Sequence, residues 1–198
     1  MKNKIITISR EFGSGGRTIG KMVAEKLGIP CYDQEMIQKI AAQSGFSEDY
    51  IKNEGEYIAG GWLSGVFSSR AWGSTNQDQV WLMQHRIITE LAEQGPCVIV
   101  GRCADSILRG KADCLRVFIH ASMEYRANRI VKEYGERTES PEQRLKEKDK
   151  CRAAYYRFYT DTKWGYAPNY HVSLDSSTWG IEKCVDIILD LYRTSDPH

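Results

Sequence analysis

Residues 5–18 read Ile5-Ile6-Thr7-Ile8-Ser9-Arg10-Glu11-Phe12-Gly13-Ser14-Gly15-Gly16-Arg17-Thr18. The first part is a short β-branched run, suited to a parallel strand buried on both faces. The second part is a cluster of small residues. After it Ile19, Met22, Val23 and Leu27 recur at helical spacing until Gly28 and Pro30 stop the helix. A strand that ends in a glycine-rich turn and opens a helix forms a phosphate cradle. Glycines let backbone N–H groups converge on an anion, and the helix N-terminus adds partial positive charge. The alternative is a plain glycine turn; four small residues in a row, bracketed by Arg10 and Arg17, weigh against it.

The loop departs from the phosphate-binding pattern G-x-x-x-x-G-K-[ST]. Its leading glycine is missing, with Arg10 or Glu11 there depending on register, and no lysine follows the second glycine. In one register Arg17 replaces the lysine and Thr18 supplies the magnesium-binding hydroxyl. In the other, Gly16 stands at the lysine position and Arg17 follows.

Outward from the loop, further strand-like runs cover residues 30–32, 97–100, 115–119 and 171–174. Helical periodicity covers 34–43, 78–94, 123–134, 141–159 and 181–192, with Ser140-Pro141-Glu142 marking one start by proline in the first turn. Strands alternating with helices predict an open parallel sheet covered on both faces. Such sheets bind ligands at the carboxyl ends of their strands, which aligns Ser9–Thr18, Asp33, Arg102, His120 and Asp175 on one rim. In residues 45–77, Gly55, Gly60, Gly61, Gly65 and Gly73 interrupt apolar residues such as Trp62, Phe67 and Trp72, a pattern of short helices and loops of the kind that cover binding sites.

Composition bounds the function classes. A formal net charge of +1 argues for neither nucleic-acid polymer nor membrane surface, so anion binding must come from local placement of the 27 Lys and Arg residues. None of the six cysteines forms a C-x-x-C pair, which predicts reduced, structural thiols and a cytoplasmic protein. No apolar run approaches the roughly 20 residues of a membrane helix.

Four blocks, in order and at similar separations, resemble the cytidylate kinase-like family of P-loop nucleoside monophosphate kinases. They are residues 5–17; Val98-Ile99-Val100-Gly101-Arg102; His120-Ala121-Ser122-Met123-Glu124-Tyr125-Arg126-Ala127-Asn128-Arg129; and Leu174-Asp175-Ser176-Ser177-Thr178. The resemblance implies a single P-loop domain: a three-layer α/β sandwich with a five-stranded parallel sheet. Its core would span about 1–33, 78–122 and 168–193, with a helical acceptor-binding insertion at about 34–77 and a helical lid at about 123–160. It further implies ATP with Mg²⁺ and transfer of phosphate to CMP or another nucleoside monophosphate. Gly13, Ser14, Gly15, Gly16, Arg17 and Thr18 would bind ATP, Asp175 would lie by its base, and Thr18 would bind the metal. Arg102, Asp33 and Arg157 would face the acceptor. Ordinary cytidylate kinases carry an acidic residue before the glycine–arginine pair where this chain has Val100. Kinases of other small acceptors and non-catalytic nucleotide sensors remain the alternatives, and a homodimer through the Trp-rich segment is open.

Phosphoryl transfer needs positioning and positive charge more than covalent help. Arginine suits this, because its planar fork binds phosphate bidentately and stays charged. Arg17, Arg126 and Arg152 are the candidate catalytic cations. Arg126 and Arg129 share a helix face, being three apart, while Arg152 and Arg157 lie on neighbouring faces of the next helix. A solvated face with ion pairs is the competing account for the whole charged run 142–150. Asp33 and Asp175 suit either a site role or the capping of the helix that follows each.

Overall fold

The computed structural model describes residues 4–33 and 76–194. Strands β1 (Lys4–Arg10), β2 (Cys31–Tyr32), β3 (Cys97–Val100), β4 (Asp113–His120) and β5 (Val172–Asp175) form a five-stranded sheet ordered β2-β3-β1-β4-β5. Every pairing is parallel. Alternation of side chains along the strands feeds two cores. Ile5, Cys97 and Ile99 face α2 (Asn76–Gln94) and α3 (Ala104–Ile107), joining Ile87, Ile88, Leu91 and Leu108. Ile6, Ile8, Val98, Val100, Val117 and Ile119 face the opposite way, onto Ile19 and Val23 of α1 (Gly16–Leu27) and Val185 and Ile188 of α6 (Ser176–Thr194). Ile5, Ile6 and Ile8 are essentially inaccessible, and burying each is worth about 1.5–3 kcal/mol. The three-layer sandwich expected from the sequence is the one observed.

Two helices stand beyond the last turn of β4. Ser122 accepts from the Tyr125 amide at the start of α4 (Met123–Tyr134), and Ser140 accepts from the Gln143 amide at the start of α5 (Pro141–Thr160). They share a small core of Ala127, Ile130 and Leu145, against which Phe12 of the glycine loop packs.

The differences from sequence expectation have local causes. β4 is longer than 115–119 because β1 pairs with it from Lys4↔Asp113 to Arg10↔Ile119, carrying polar residues into the ladder. α6 begins at Ser176, ahead of the expected 181. Asp175 caps it, accepting from the amides of Ser177 and Thr178, and the helix breaks at Gly180 (φ 76°, ψ 164°). α3 was not anticipated. It follows three consecutive left-handed residues, Gly101 (φ 82°), Arg102 (φ 54°) and Cys103 (φ 56°), and it is too short to show a periodicity. The expected helix at 34–43 and the rest of the 34–77 insertion lie outside the described residues, apart from the first residues of α2. All six cysteines are free thiols. Burial pushes Cys31 and Cys114 up to about 11, as inert structural thiols require.

Candidate active site

The rim at the carboxyl ends of β1, β3, β4 and β5 is built around the glycine loop. Gly15 (φ 79°) is the left-handed N-cap of α1, and Gly16 is its first residue. The first-turn amides of α1 have no helical acceptor and carry the positive end of the helix dipole. The loop is held in shape from three sides. Ser14, fully buried, donates through Oγ to the Glu11 carbonyl at 2.9 Å, while its own carbonyl accepts from Ser176 Oγ at 2.6 Å. The Glu11 carboxylate accepts from the Ala121 amide at 3.2 Å. The Phe12 amide donates to Asp149 Oδ1 of α5 at 2.7 Å. The loop is therefore docked onto the start of α6, the end of β4 and the α4–α5 pair.

The cations divide into two sets. Arg126 is buried and neutralised: it pairs with Asp149 Oδ2 and with Glu11 Oε2 at 3.4 Å, and donates to the Phe12 carbonyl at 3.3 Å. Arg129 donates to Thr18 Oγ1 at 2.9 Å. Arg17 donates through Nε to Asp33 Oδ2 at 2.7 Å, with Lys21 Nζ at 3.9 Å from the same oxygen. These arginines bind protein groups and shape the loop.

The second set is Arg10, Arg102 and Arg152. Arg10 ends β1 and reaches over Gly101, where an added Cβ would overlap Nη1 of its guanidinium. Arg102 follows Gly101, and its Nε is buried without a hydrogen-bond partner. Arg152 reaches across from α5 to donate to the Arg10 carbonyl at 3.0 Å, and its guanidinium lies 5.4 Å over the Phe12 ring. Within the described residues, the one carboxylate at ion-pair range of this set is Asp149, 3.9 Å from Arg152 Nη1. Burial, then the charges of Arg152 and Arg102, lower the proton affinity of Arg10 well below that of an ordinary arginine. Burial does the same to Arg102 and Arg152. Three guanidiniums crowded with so little counter-charge have the chemistry to hold an anion. The left-handed Arg102 adds backbone strain of about 1–3 kcal/mol, as is common where a side chain must be aimed.

The structure brings Gly13, Ser14, Gly15, Gly16, Arg17, Thr18, Arg102, Arg126 and Arg152 to one rim, with Asp33 joined to it through Arg17. Asp175 lies on the same rim at the end of β5, but its oxygens serve as the cap of α6. Hydrogen bonds from Ser177, and then from Thr178, hold its carboxyl below the usual aspartate range. Arg157 is solvent-exposed near the end of α5. Thr18 faces a guanidinium, and no group of three His, Cys, Asp or Glu residues able to hold a metal occurs among the described residues. The Thr18 hydroxyl, expected to meet the metal, accepts from the Arg129 guanidinium.

Sequence reasoning missed four contributors. Arg10 stands in the sequence only as a bracket of the glycine loop and at the missing leading glycine, with no role attached, and Asp149 has no motif to mark it. Ser176 was quoted only as part of a block. Trp164 donates to Ser9 Oγ at 3.0 Å and packs edge-on against Phe118, closing the rim on the β4 side. Trp164 leaves a signal as an aromatic in the Trp164-Gly165-Tyr166 stretch after a long polar helix.

The sheet order, the glycine loop between β1 and α1, and the arginine cluster at its mouth define a nucleotide-binding P-loop kinase. The chain belongs to the cytidylate kinase-like family, which it matches over residues 5–178. It is 30% identical over 190 residues to the cytidylate kinase of Archaeoglobus fulgidus, covering 93% of this chain and 92% of that one. Among solved structures it resembles an uncharacterized protein from Eubacterium ventriosum, with a TM-score of 0.74 and 26% identity over 96% of this chain and 98% of that one. The fold is shared with shikimate kinase from Acinetobacter baumannii at a TM-score of 0.57 and 17% identity, covering 100% and 97% of the two chains. No helix among the described residues is long and apolar enough to cross a membrane.

Proposed function

We propose that the protein transfers the terminal phosphate of ATP to a nucleoside monophosphate, with CMP as the first acceptor to test. The observation that carries this is the cluster of Arg10, Arg102 and Arg152, set beside a second anion site at the N-terminus of α1. Two adjoining anion sites match a donor triphosphate and an acceptor phosphate.

In this scheme the loop amides hold the β- and γ-phosphates of ATP while Arg102 and Arg152 hold the acceptor phosphate. An acceptor phosphate oxygen attacks the γ-phosphorus in line. The bond from that phosphorus to the β-bridging oxygen breaks, ADP leaves, and the acceptor becomes a diphosphate. No general base is needed, because the acceptor oxygen is already ionised near neutral pH, its second pKa being about 6. The guanidiniums offset charge on the equatorial oxygens, an effect worth on the order of 10³–10⁵ in rate when arginine fingers do it. Arg152 belongs to α5, so we assign α4 and α5 the role of a lid whose closure completes the cluster. Arg126 and Arg17 act through the loop and Asp33, and Asp33 is assigned to the acceptor side.

The test is ADP release from ATP and magnesium with a panel of acceptors: CMP, UMP, AMP, shikimate and gluconate. Turnover with a nucleoside monophosphate is the expected result. Turnover with a non-nucleotide alone, or ATP binding without product, would replace this reading with a kinase of another acceptor or a nucleotide sensor.

A further inference from the structure

The loop pattern of phosphate-binding kinases places a lysine at the first residue of the helix after the glycine turn, and here that residue is Gly16. Its lack of a side chain is enforced by its surroundings. A Cβ on Gly16 would lie 2.5 Å from Arg10 Cβ and 2.9 Å from Arg10 Cγ. The stem of Arg10 therefore runs through the volume in which a residue-16 side chain would start. In this register Arg10 itself stands where the pattern has its leading glycine, so the cation and the glycine have changed places across the loop. The far end of Arg10 also needs a vacancy, and Gly101 supplies it: a Cβ there would overlap Nη1 and lie 2.7 Å from Cζ. Among the described residues no carboxylate pairs with the Arg10 guanidinium and no side-chain hydrogen bond satisfies it. Asp33, the acid that attracts it, is engaged by Arg17 at 2.7 Å. A side chain whose stem passes Gly16 at the start of α1 and whose guanidinium lies over Gly101, next to Arg102, is placed for a ligand.

We infer that Arg10 is the loop's phosphate-binding cation, supplying from the end of β1 the charge that a lysine at position 16 would otherwise bring to the transferring phosphate. The assignment rests on the nucleotide-kinase reading above, and it makes a demand that reading does not. Positive charge must be exchangeable between positions 10 and 16. Arg10 and a larger residue 16 must also be mutually exclusive, because one stem occupies the space of the other.

The experiment compares wild type with Arg10→Met, Arg10→Lys, Gly16→Lys and the double variant Arg10→Gly/Gly16→Lys. ATP affinity is measured by calorimetry, turnover on the acceptor panel by ADP release, and folding by circular dichroism and thermal melting. Arg10→Met keeps the stem and removes the charge, so it should fold as wild type while losing about 10- to 100-fold in ATP affinity and still more in turnover. Arg10→Lys should keep part of both. Gly16→Lys should be defective alone, and the double variant should recover turnover to within about tenfold of wild type. Wild-type affinity and turnover in a folded Arg10→Met would overturn the assignment. So would a double variant no better than Gly16→Lys when both are folded. Should Arg10→Met not fold, Arg10→Lys decides: a folded protein with neither ATP binding nor turnover counts against Arg10 acting through its charge. Wild-type protein that binds no ATP would sink the kinase reading along with this one. Wild type that binds ATP and turns over, matched by Arg10→Met, would sink this one alone.

Discussion

Replacing Asp149 by alanine removes two close contacts and a looser ion pair with Arg152 at 3.9 Å. Oδ1 accepts the Phe12 amide at 2.7 Å, and Oδ2 pairs with Arg126. The Arg126 side chain is only 7% exposed, so the change leaves a guanidinium in a poorly solvated place. Stranding one member of a fully buried pair costs about 3–5 kcal/mol. Two features reduce that here. The Asp149 side chain is 17% exposed, so water can enter, and Glu11 Oε2 stays 3.4 Å from Arg126 Nε. A loss of about 2–3 kcal/mol is expected, which for a chain of this size corresponds to a Tm lower by roughly 4–12 °C. Asp149→Asn keeps an acceptor for the Phe12 amide and loses only the charge, so it should fall about midway. The measurement is equilibrium urea unfolding of Asp149→Ala, Arg126→Met and the double variant. The cycle should return a coupling of about 1.5 kcal/mol or more, since both residues belong to one network. Turnover should also fall in Asp149→Ala, because the loop amide at Phe12 loses the partner that ties it to α5. A coupling under about 0.5 kcal/mol, with additive single effects, would refute the idea that Asp149 and Arg126 together clamp the loop.

Three further outcomes are expected. Ser176→Ala leaves the buried carbonyl of Ser14, now reached at 2.6 Å, without its donor; it should cost about 1–2 kcal/mol in urea unfolding, and a neutral result would mean that a water molecule replaces the hydroxyl. Gly101→Ala puts a side chain on a left-handed residue, about 1–2 kcal/mol, and drives it into the Arg10 guanidinium, so turnover should fall more than stability does. Gly95→Ala, with nothing within 4 Å of the added carbon, is its control; equal turnover in the two would count against a cleared path for Arg10. Burial raises the carboxyl of Asp105, although the Tyr156 hydroxyl donates to it at 2.6 Å. A raised acid in the folded state favours folding when protonated, so this contribution is present below the unfolded value of about 3.9 and is lost as pH rises above it. Asp105→Asn should therefore flatten the fall in stability as pH rises above about 4; an unchanged slope in urea midpoints would show that Asp105 is not its source.

The layered sheet was legible because its signals are local. β1 and β3 are runs of β-branched residues whose alternate members feed opposite cores, and the helix stops at Gly28 and Gly95-Pro96 lie where punctuation predicts them. The glycine loop was legible for the same reason, as a chemical oddity between a strand and a helix. The lost parts depended on distant residues. The length of β4 is set by pairing with β1, and α3 depends on three left-handed residues, of which two are not glycine. Arg126 and Arg152 looked equivalent as basic residues on helical faces. One is paired with two carboxylates and the other reaches the Arg10 carbonyl, a distinction made by Asp149 and Glu11, respectively 23 and 115 residues from Arg126.

That distinction bears on what the absent lysine means. A single missing residue in a motif suggests a loop that has lost its function. The structure ties the absence to a gain, because Gly16 and Arg10 compete for one volume and only one of them can carry a side chain. A loop that had merely decayed would have no reason to keep a second clearing at Gly101, at a left-handed turn where the backbone is costly. Nor would it gather Arg102 and Arg152 against Arg10, whose proton affinity burial and then their charges lower. An anion bound among the three would offset the charge that Arg152 and Arg102 place on Arg10. The same energy that disfavours the unliganded cluster then favours phosphate over any neutral group of similar size.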